Sequence, residues 1–284
     1  MSVRFGVHSS LWTASWSVAA AERFVPQAAR HGLQVIEVAL LSPETIEAER
    51  TRELLAAHGM EATASLCLPA DANAALRPDR AETFLRRALD VAHAMGAKIL
   101  CGVTYSTLGW RSGSPPSEAE LANVAAALKP VARHAASLGM TLGIEPCNRY
   151  ETHLLNTARQ ARAMLERIGE PNVTIHLDTY HMNIEEKGLA DGFRAAGRHC
   201  SYVHLSESDR GVPGTGTVDF AAAFRTLAEI GFSGDLVLES FVTLPPEIAA
   251  ALSVWRPVAS SPEEVLERGL PYLVGLARLH GLVR

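Results

Sequence analysis

The chain has 284 residues, 48% of them hydrophobic, and a formal net charge of -5. That is enough apolar mass for a substantial core, and no basic stripe or block of like charge marks a nucleic-acid or anionic-membrane partner. No stretch approaches 18 uninterrupted apolar residues, the N-terminus lacks a charged segment followed by an apolar run, and Cys67, Cys101, Cys147 and Cys200 form no C-x-x-C pair, so a soluble cytoplasmic protein with free thiols is expected.

In chain order, the apolar run "VRFGVHS" precedes a helical segment from Val18 to His31, and "QVIEVAL" precedes one from Pro43 to His58. "EATASLC" is followed by a helical segment from Pro78 to Met95, and "KILCGV" by one from Ser117 to Leu138. "TLGIE", "VTIHLD", "SYVHLS" and "DLVLES" come next, and a helical segment from Pro262 to His280 ends the series. Alternation of this kind predicts parallel strands joined by crossover helices. Glycine stands between helix and strand in "RHGLQVIEV", "AHGMEATAS", "AMGAKILCG", "SLGMTLGIE" and "EIGFSGDLVLE", where a left-handed residue closes a helix. Eight such units predict an α/β fold, a (β/α)8 TIM barrel, as a single domain over residues 1–284. A doubly wound sheet is the alternative, but no G-x-G-x-x-G follows the first strand.

The last four strands carry polar residues in one phase. In "TLGIE", Thr141, Gly143 and Glu145 oppose Leu142 and Ile144; in "VTIHLD", Thr174, His176 and Asp178 oppose Val173, Ile175 and Leu177. "SYVHLS" sets Tyr202, His204 and Ser206 against Val203 and Leu205, and "DLVLES" sets Asp235, Val237 and Glu239 against Leu236 and Leu238. The apolar phase should pack on the helices and the other should point into the barrel. Glu145, Asp178, His204 and Glu239 are then inward residues at C-terminal strand ends, spaced about one βα unit apart on the rim where barrel enzymes hold their chemistry. Three carboxylates meeting there repel one another unless a cation sits among them. Three oxygen donors and one imidazole suit a divalent ion of intermediate hardness, Mn²⁺ first, with Mg²⁺, Co²⁺ or Zn²⁺ behind it. Four protein ligands leave about two positions of an octahedral ion for a chelating substrate. Any one of these residues alone reads as a solvated strand end; four in register read as a metal site.

The segments "GIEPCNRYETHLLNT", "HLDTYHMNIEE", "HLSESDRGVPGTGTVDF" and "LVLESF" together resemble the ketose 3-epimerases, the group of D-tagatose, D-psicose (D-allulose) and L-ribulose 3-epimerases within the xylose isomerase-like barrels. The resemblance runs from the first strand to the last and is strongest from Gly143 to Phe241. It implies a metal, usually Mn²⁺ in that family, held by Glu145, Asp178, His204 and Glu239, with Glu145 and Glu239 also serving as the acid/base pair. Glu151 matches a position that assists the first acid and the substrate, His181 and Arg210 match positions that hydrogen-bond the sugar, and Phe241 matches an apolar wall residue. Trp12, Trp16 and Trp110 fall on loops that would shape the far end of the pocket. The implied reaction inverts the carbon next to a ketone through a cis-enediolate stabilised by metal chelation, with one carboxylate on each face. The implied partner is a free small-molecule ketose, with no nucleic acid and no membrane, in a homodimer or homotetramer.

An aldose-ketose or hydroxypyruvate isomerase of the same superfamily would use similar ligands. An apurinic endonuclease on this barrel would need more His and acidic ligands and a basic face, neither of which is present. A non-catalytic sugar-binding barrel would have no use for both glutamates. The glycines of "RGVPGTGTVDF" lie where barrels often bind phosphate, but with no Lys or P-loop pattern they read as a shaped loop, favouring a free sugar. His8, at the end of the first strand, reads equally as wall or site. Cys147 and Asp209 depart from the family pattern at positions that bear only on substrate preference.

Overall fold

Eight strands pair in parallel and in chain order: β1 (Arg4–His8), β2 (Val35–Ala39), β3 (Glu61–Cys67), β4 (Ile99–Val103), β5 (Thr141–Ile144), β6 (Val173–Asp178), β7 (Cys200–Leu205) and β8 (Asp235–Leu238). β8 pairs with β1, from Arg4 opposite Asp235 to Val7 opposite Leu238, and the barrel closes. The structure, a computed structural model, describes residues 3–242, 249 and 252–283. Around the barrel lie α1 (Val18–Arg30), α2 (Ala48–Ala57), α3 (Pro78–Ala94), α4 (Glu118–Ser137), α5 (Ala158–Ile168), α6 (Thr179–Glu185), α7 (Leu189–Ala196), α8 (Phe220–Glu229) and α9 (Leu270–Leu279).

The strand alternation decides what each side chain meets. Leu142, Ile144, Ile175, Leu177, Val203, Leu205, Leu236 and Leu238 are fully buried in the main core, while Ile99, Cys101, Tyr202 and Val237 form a separate buried cluster. Tyr202 and Val237 belong to the inward phase of their strands, so the two clusters are the two faces of one sheet. The five glycines between helices and strands, Gly32, Gly59, Gly96, Gly139 and Gly231, all have φ between +66° and +86°. α4 and α5 each start on a capping box, Ser117 with Glu120 and Thr157 with Gln160, which satisfies amide groups that a helix start leaves unpaired.

Two helical segments differ from the sequence expectation. The segment from Pro43 to His58 is broken: Pro43–Thr45 is a 3-10 turn, Ile46 is extended (φ -83°, ψ 124°) and packs on the core, and α2 begins only at Ala48. Burying Ile46 wins over continuing the helix. The last segment contains a π-helical turn, Val265–Gly269, between a short α-turn Pro262–Glu264 and α9. A Cβ at Gly269 would come within 2.6 Å of Pro213 Cδ, so the widened turn admits the loop after β7.

Candidate active site

The C-terminal ends of β5 to β8 bring Glu145, Asp178, His204 and Glu239 together, all of them buried. His204 Nδ1 lies 3.9 Å from Glu145 Oε1, 3.8 Å from Asp178 Oδ2 and 3.5 Å from Glu239 Oε1. Ser206 Oγ donates toward both Asp178 Oδ2 and Glu239 Oε2 at 3.3 Å. The backbone under the site is pinned. Tyr105 donates its hydroxyl to the Glu145 carbonyl at 2.9 Å, and Glu145 N donates to the carbonyl of Gly102 at 3.0 Å. Gly102 has φ +93°, and a Cβ there would lie 2.5 Å from the Leu66 carbonyl, so only glycine lets β4 lie this close to β3. Asp178 also caps α6 by accepting from Tyr180 N at 2.7 Å.

Arg210 enters this group from the loop after β7. Its Nη1 donates to Asp178 Oδ2 at 2.5 Å and to Glu239 Oε2, and to Ser206 Oγ at 3.0 Å, while its guanidinium stacks 4.0 Å from the Tyr180 ring and 5.1 Å from that of Phe241. The backbone of Arg210 is left-handed (φ 64°), a conformation that costs a non-glycine residue on the order of 1 kcal/mol or more. Its surroundings hold it there: Arg210 N donates to the Glu207 carbonyl, and the Arg210 carbonyl accepts from Ser240 Oγ at 2.7 Å and Phe241 N at 3.2 Å.

His181 accepts at Nδ1 from the backbone N–H of Asn148 at 3.2 Å, and its Nε2 lies 3.2 Å from Arg210 Nη2, a group that can only donate. His181 Nε2 also faces Glu145 Oε1 at 3.8 Å and Glu151 Oε2 at 4.0 Å. Asn148 also donates to Glu151 Oε1 at 2.8 Å, so one amide positions both residues. Burial, seconded by Arg210, lowers the His181 pKa well below its usual value and keeps the ring neutral.

The two glutamates are driven in opposite directions. Burial pushes Glu145 well above the ordinary carboxylate range; His204 opposes this, while Asp178 and Glu239 add to it. Burial acts the same way on Glu239, but His204 and Arg210 outweigh it and hold that carboxyl well below the range. Burial raises Asp178 to about 6 against the pull of Arg210, and Glu151 is raised mainly by burial. Paired carboxyls with pKa values forced apart are what acid/base chemistry requires.

The donor set fits a divalent cation. Ligand atoms of Asp178, His204 and Glu239 lie within 4.8 Å of one another, and buried His204 Nδ1, aimed among the carboxylates, has no hydrogen-bond partner among the described residues. Behind it stands a residue that the strand-end pattern misses: Glu37 of β2, fully buried, whose Oε2 is 2.7 Å from His204 Nε2 and accepts from Tyr202 Oη at 2.7 Å. Burial opposes the charge on Glu37, but His204 and His8 hold it down to about 2.

A cavity of about 420 Å³ opens over the group, lined by His8, Glu145, Glu151, His181, His204, Arg210, Glu239 and Phe241 at one end. Leu41, Leu66, Cys67, Leu68, Val103, Leu108 and Leu252 form the apolar remainder. The expected tryptophans are elsewhere. Trp12 stacks on Phe24 with ring centroids 4.7 Å apart, Trp16 is buried and bonds Thr51 at 2.9 Å, and Trp110 packs edge-on against His153 at 4.9 Å; none is among the lining residues. The loop backbones turn these indoles onto outer aromatic neighbours, and smaller residues such as Thr13, Ala14, Thr107 and Leu108 line the cavity in their place. His8 does line it, with Nε2 3.3 Å from Ser65 Oγ.

The site combines a barrel rim, a donor set for a divalent ion and two carboxyls of divided pKa, the equipment of a metal-assisted proton-transfer enzyme. Residues 25–258 match the family model described as the xylose isomerase-like TIM barrel, and the chain belongs to that family. It is 39% identical to the L-ribulose 3-epimerase of Methylomonas sp. (strain DH-1), covering 95% of this chain and 96% of that one. It is 38% identical to the ketose 3-epimerase of Arthrobacter globiformis, covering 93% of each. The crystal structure of the D-allulose 3-epimerase from Methylomonas sp. in complex with D-allulose superposes with a TM-score of 0.91 at 38% identity, over 96% of this chain and 97% of that one.

Proposed function

We propose that this chain is a metal-dependent isomerase that epimerises free ketoses at C3. The observation that carries the reading is the pairing of Glu145 and Glu239, driven to opposite protonation tendencies beside one cation-binding set. Glu145, Asp178, His204 and Glu239 would hold the divalent ion, with Mn²⁺ the preferred metal and Co²⁺ or Mg²⁺ as substitutes. When bound, the ion supplies Lewis-acid polarisation of the ketone, which acidifies the C3 proton.

The chain's residues do the rest. Glu239, the carboxyl with the weaker hold on a proton, takes the proton from C3 as the C–H electron pair moves toward the carbonyl and a cis-enediolate forms. Glu145, the carboxyl with the greater hold on a proton, delivers one to the opposite face. A single base on one face would restore the starting configuration, and in the reverse direction the roles exchange. Arg210 offers its guanidinium to the sugar oxygens beside the reacting carbon, the His181 ring stands next to it, Glu151 joins them through Asn148, and Phe241 closes the wall. Neutral His181 adds no positive charge beside the cation.

A free sugar suits the loop after β7 better than a sugar phosphate. The backbone N–H groups of Ser208, Gly214 and Val218, at 2.8, 2.8 and 3.1 Å, all donate to the buried carboxylate of Glu207. The amides that would cradle a phosphate are committed to the protein's own acid.

The substrate pair belongs to the D-tagatose/D-sorbose, D-fructose/D-allulose or L-ribulose/L-xylulose type, and the setting is cytoplasmic, in a homodimer or homotetramer. No described helix is long and apolar enough to cross a membrane. The test is a panel of ketopentoses and ketohexoses incubated with chelator-dialysed protein, with and without Mn²⁺. Conversion of at least one ketose to its C3 epimer, dependent on metal, supports the reading; only aldose products, or no turnover with any ketose, overturns it.

A further inference from the structure

We propose that Glu37 is the carboxylate of a relay that acts through His204 on the bound cation, its negative charge holding the imidazole in the Nε2–H form and strengthening Nδ1 as a ligand. This rests on reading the four-residue donor set as a cation site. Glu37 is not itself one of the four donors and does not line the cavity; it acts only through the imidazole it contacts, so its part is that of a positioning residue.

The geometry is a linear chain through the barrel interior. Thr63 Oγ1 lies 2.7 Å from Tyr202 Oη, Tyr202 donates to Glu37 Oε2 at 2.7 Å, and His204 Nε2 meets the same oxygen at 2.7 Å. With Tyr202 donating to Glu37, the Thr63 hydroxyl donates to Tyr202, so every proton in the chain is accounted for. All four side chains are buried, and they come from β2, β3 and β7, the strands on either side of the barrel axis. His204 Nδ1, at the far end, has no hydrogen-bond partner among the described residues and points at Asp178 and Glu239.

An anion in this position is expensive. Removing a carboxylate from water costs several kcal/mol, and neutral Gln has nearly the same shape and an oxygen that can accept the same two bonds. Packing alone therefore does not account for an acid here. A charge behind a metal-binding imidazole does: it fixes the tautomer and raises the basicity of the nitrogen facing the ion. Glu37 Oε1, the oxygen not used by His204 or Tyr202, has no hydrogen-bond partner among the described residues either, and stands 3.6 Å from His8 Nε2 in the cavity wall.

The experiment is calorimetric titration of Mn²⁺ into the chelator-treated full chain, for wild type, Glu37→Gln and Glu37→Leu, with thermal melting of each metal-free protein alongside. Gln keeps shape and acceptor and removes the charge; Leu removes both. The relay predicts Mn²⁺ affinity lower by about 10-fold for Gln and about 100-fold for Leu, with the metal-free Gln variant melting close to wild type. The absorption bands of Co²⁺ in the Leu variant should also shift, since the ligand field at His204 changes. Affinities for Gln within twofold of wild type overturn the relay, and they decide the matter even if the Leu variant fails to fold. If wild type itself takes up no Mn²⁺, the cation reading of the donor set falls and the relay with it.

Discussion

Arg210 is the one guanidinium among the described residues in direct contact with the donor set, and replacing it by Met, which keeps the stem and removes the charge, separates the metal-free protein from the metal-loaded one. Its Nη1 is bonded to both Asp178 and Glu239 with no water between them. At about 3 Å and an effective dielectric near 20, each pair is worth on the order of 5 kcal/mol, and desolvation of the guanidinium cancels several kcal/mol of that sum. Leaving the two buried carboxylates uncompensated is expected to cost about 3–5 kcal/mol. For a chain of this size that lowers the melting temperature by roughly 6–15 °C, taking about 2–3 °C per kcal/mol. Bound Mn²⁺ supplies the missing positive charge, so the variant should gain more from the metal than wild type does, beyond the ~2.7 kcal/mol that any ligand at 100 times its dissociation constant confers. Differential scanning fluorimetry with chelator and with saturating Mn²⁺ measures both. Equal melting of variant and wild type in chelator, together with equal gains from Mn²⁺, would refute the view that Arg210 compensates this cluster.

Further consequences are open to measurement. Burial raises Asp178 to about 6 and Glu145 well above the ordinary carboxylate range in the metal-free protein, and only the ionised forms are ligands, so Mn²⁺ affinity should rise with pH from 5 to 8, by up to about tenfold per unit at the acid end; a flat profile over that range contradicts this. Gly102→Ala places a methyl against the Leu66 carbonyl in a left-handed strand position and should destabilise by more than about 2 kcal/mol in denaturant melts. Because Trp110 packs on His153 outside the cavity while Phe241 lines it, Trp110→Phe should leave the ketose KM within about twofold and Phe241→Ala should raise it several-fold; the reverse order would show that the wall is misassigned.

The barrel and its four rim residues were legible because β-strand alternation is a local property: once Leu236 and Leu238 face the helices, Glu239 must face in. Glu37 obeys the same rule in "VIEVA" but sits one residue pair short of the strand end, and only the finished barrel carries it across to His204. Asn148 is set by loop geometry, and Tyr180 by where the short helix α6 starts after Asp178. The bond from Asn148 to His181 spans 33 positions and depends on where the β5 loop folds, which no spacing encodes. The placement of the tryptophans depends on loops in the same way: a large aromatic on a rim loop can turn toward the cavity or toward another neighbour, and the backbone decides. The break at Ile46 shows the limit from the other side, where burial of one side chain overrides a continuous helical pattern.

The two-base account is tested most directly by following solvent deuterium into a ketose substrate by NMR, with Mn²⁺ present, for wild type and Glu239→Gln. It predicts label at C3 in both epimers with wild type and loss of that exchange in the folded Glu239→Gln protein. Label confined to C1 or C2, or undiminished C3 turnover in the variant, would contradict it.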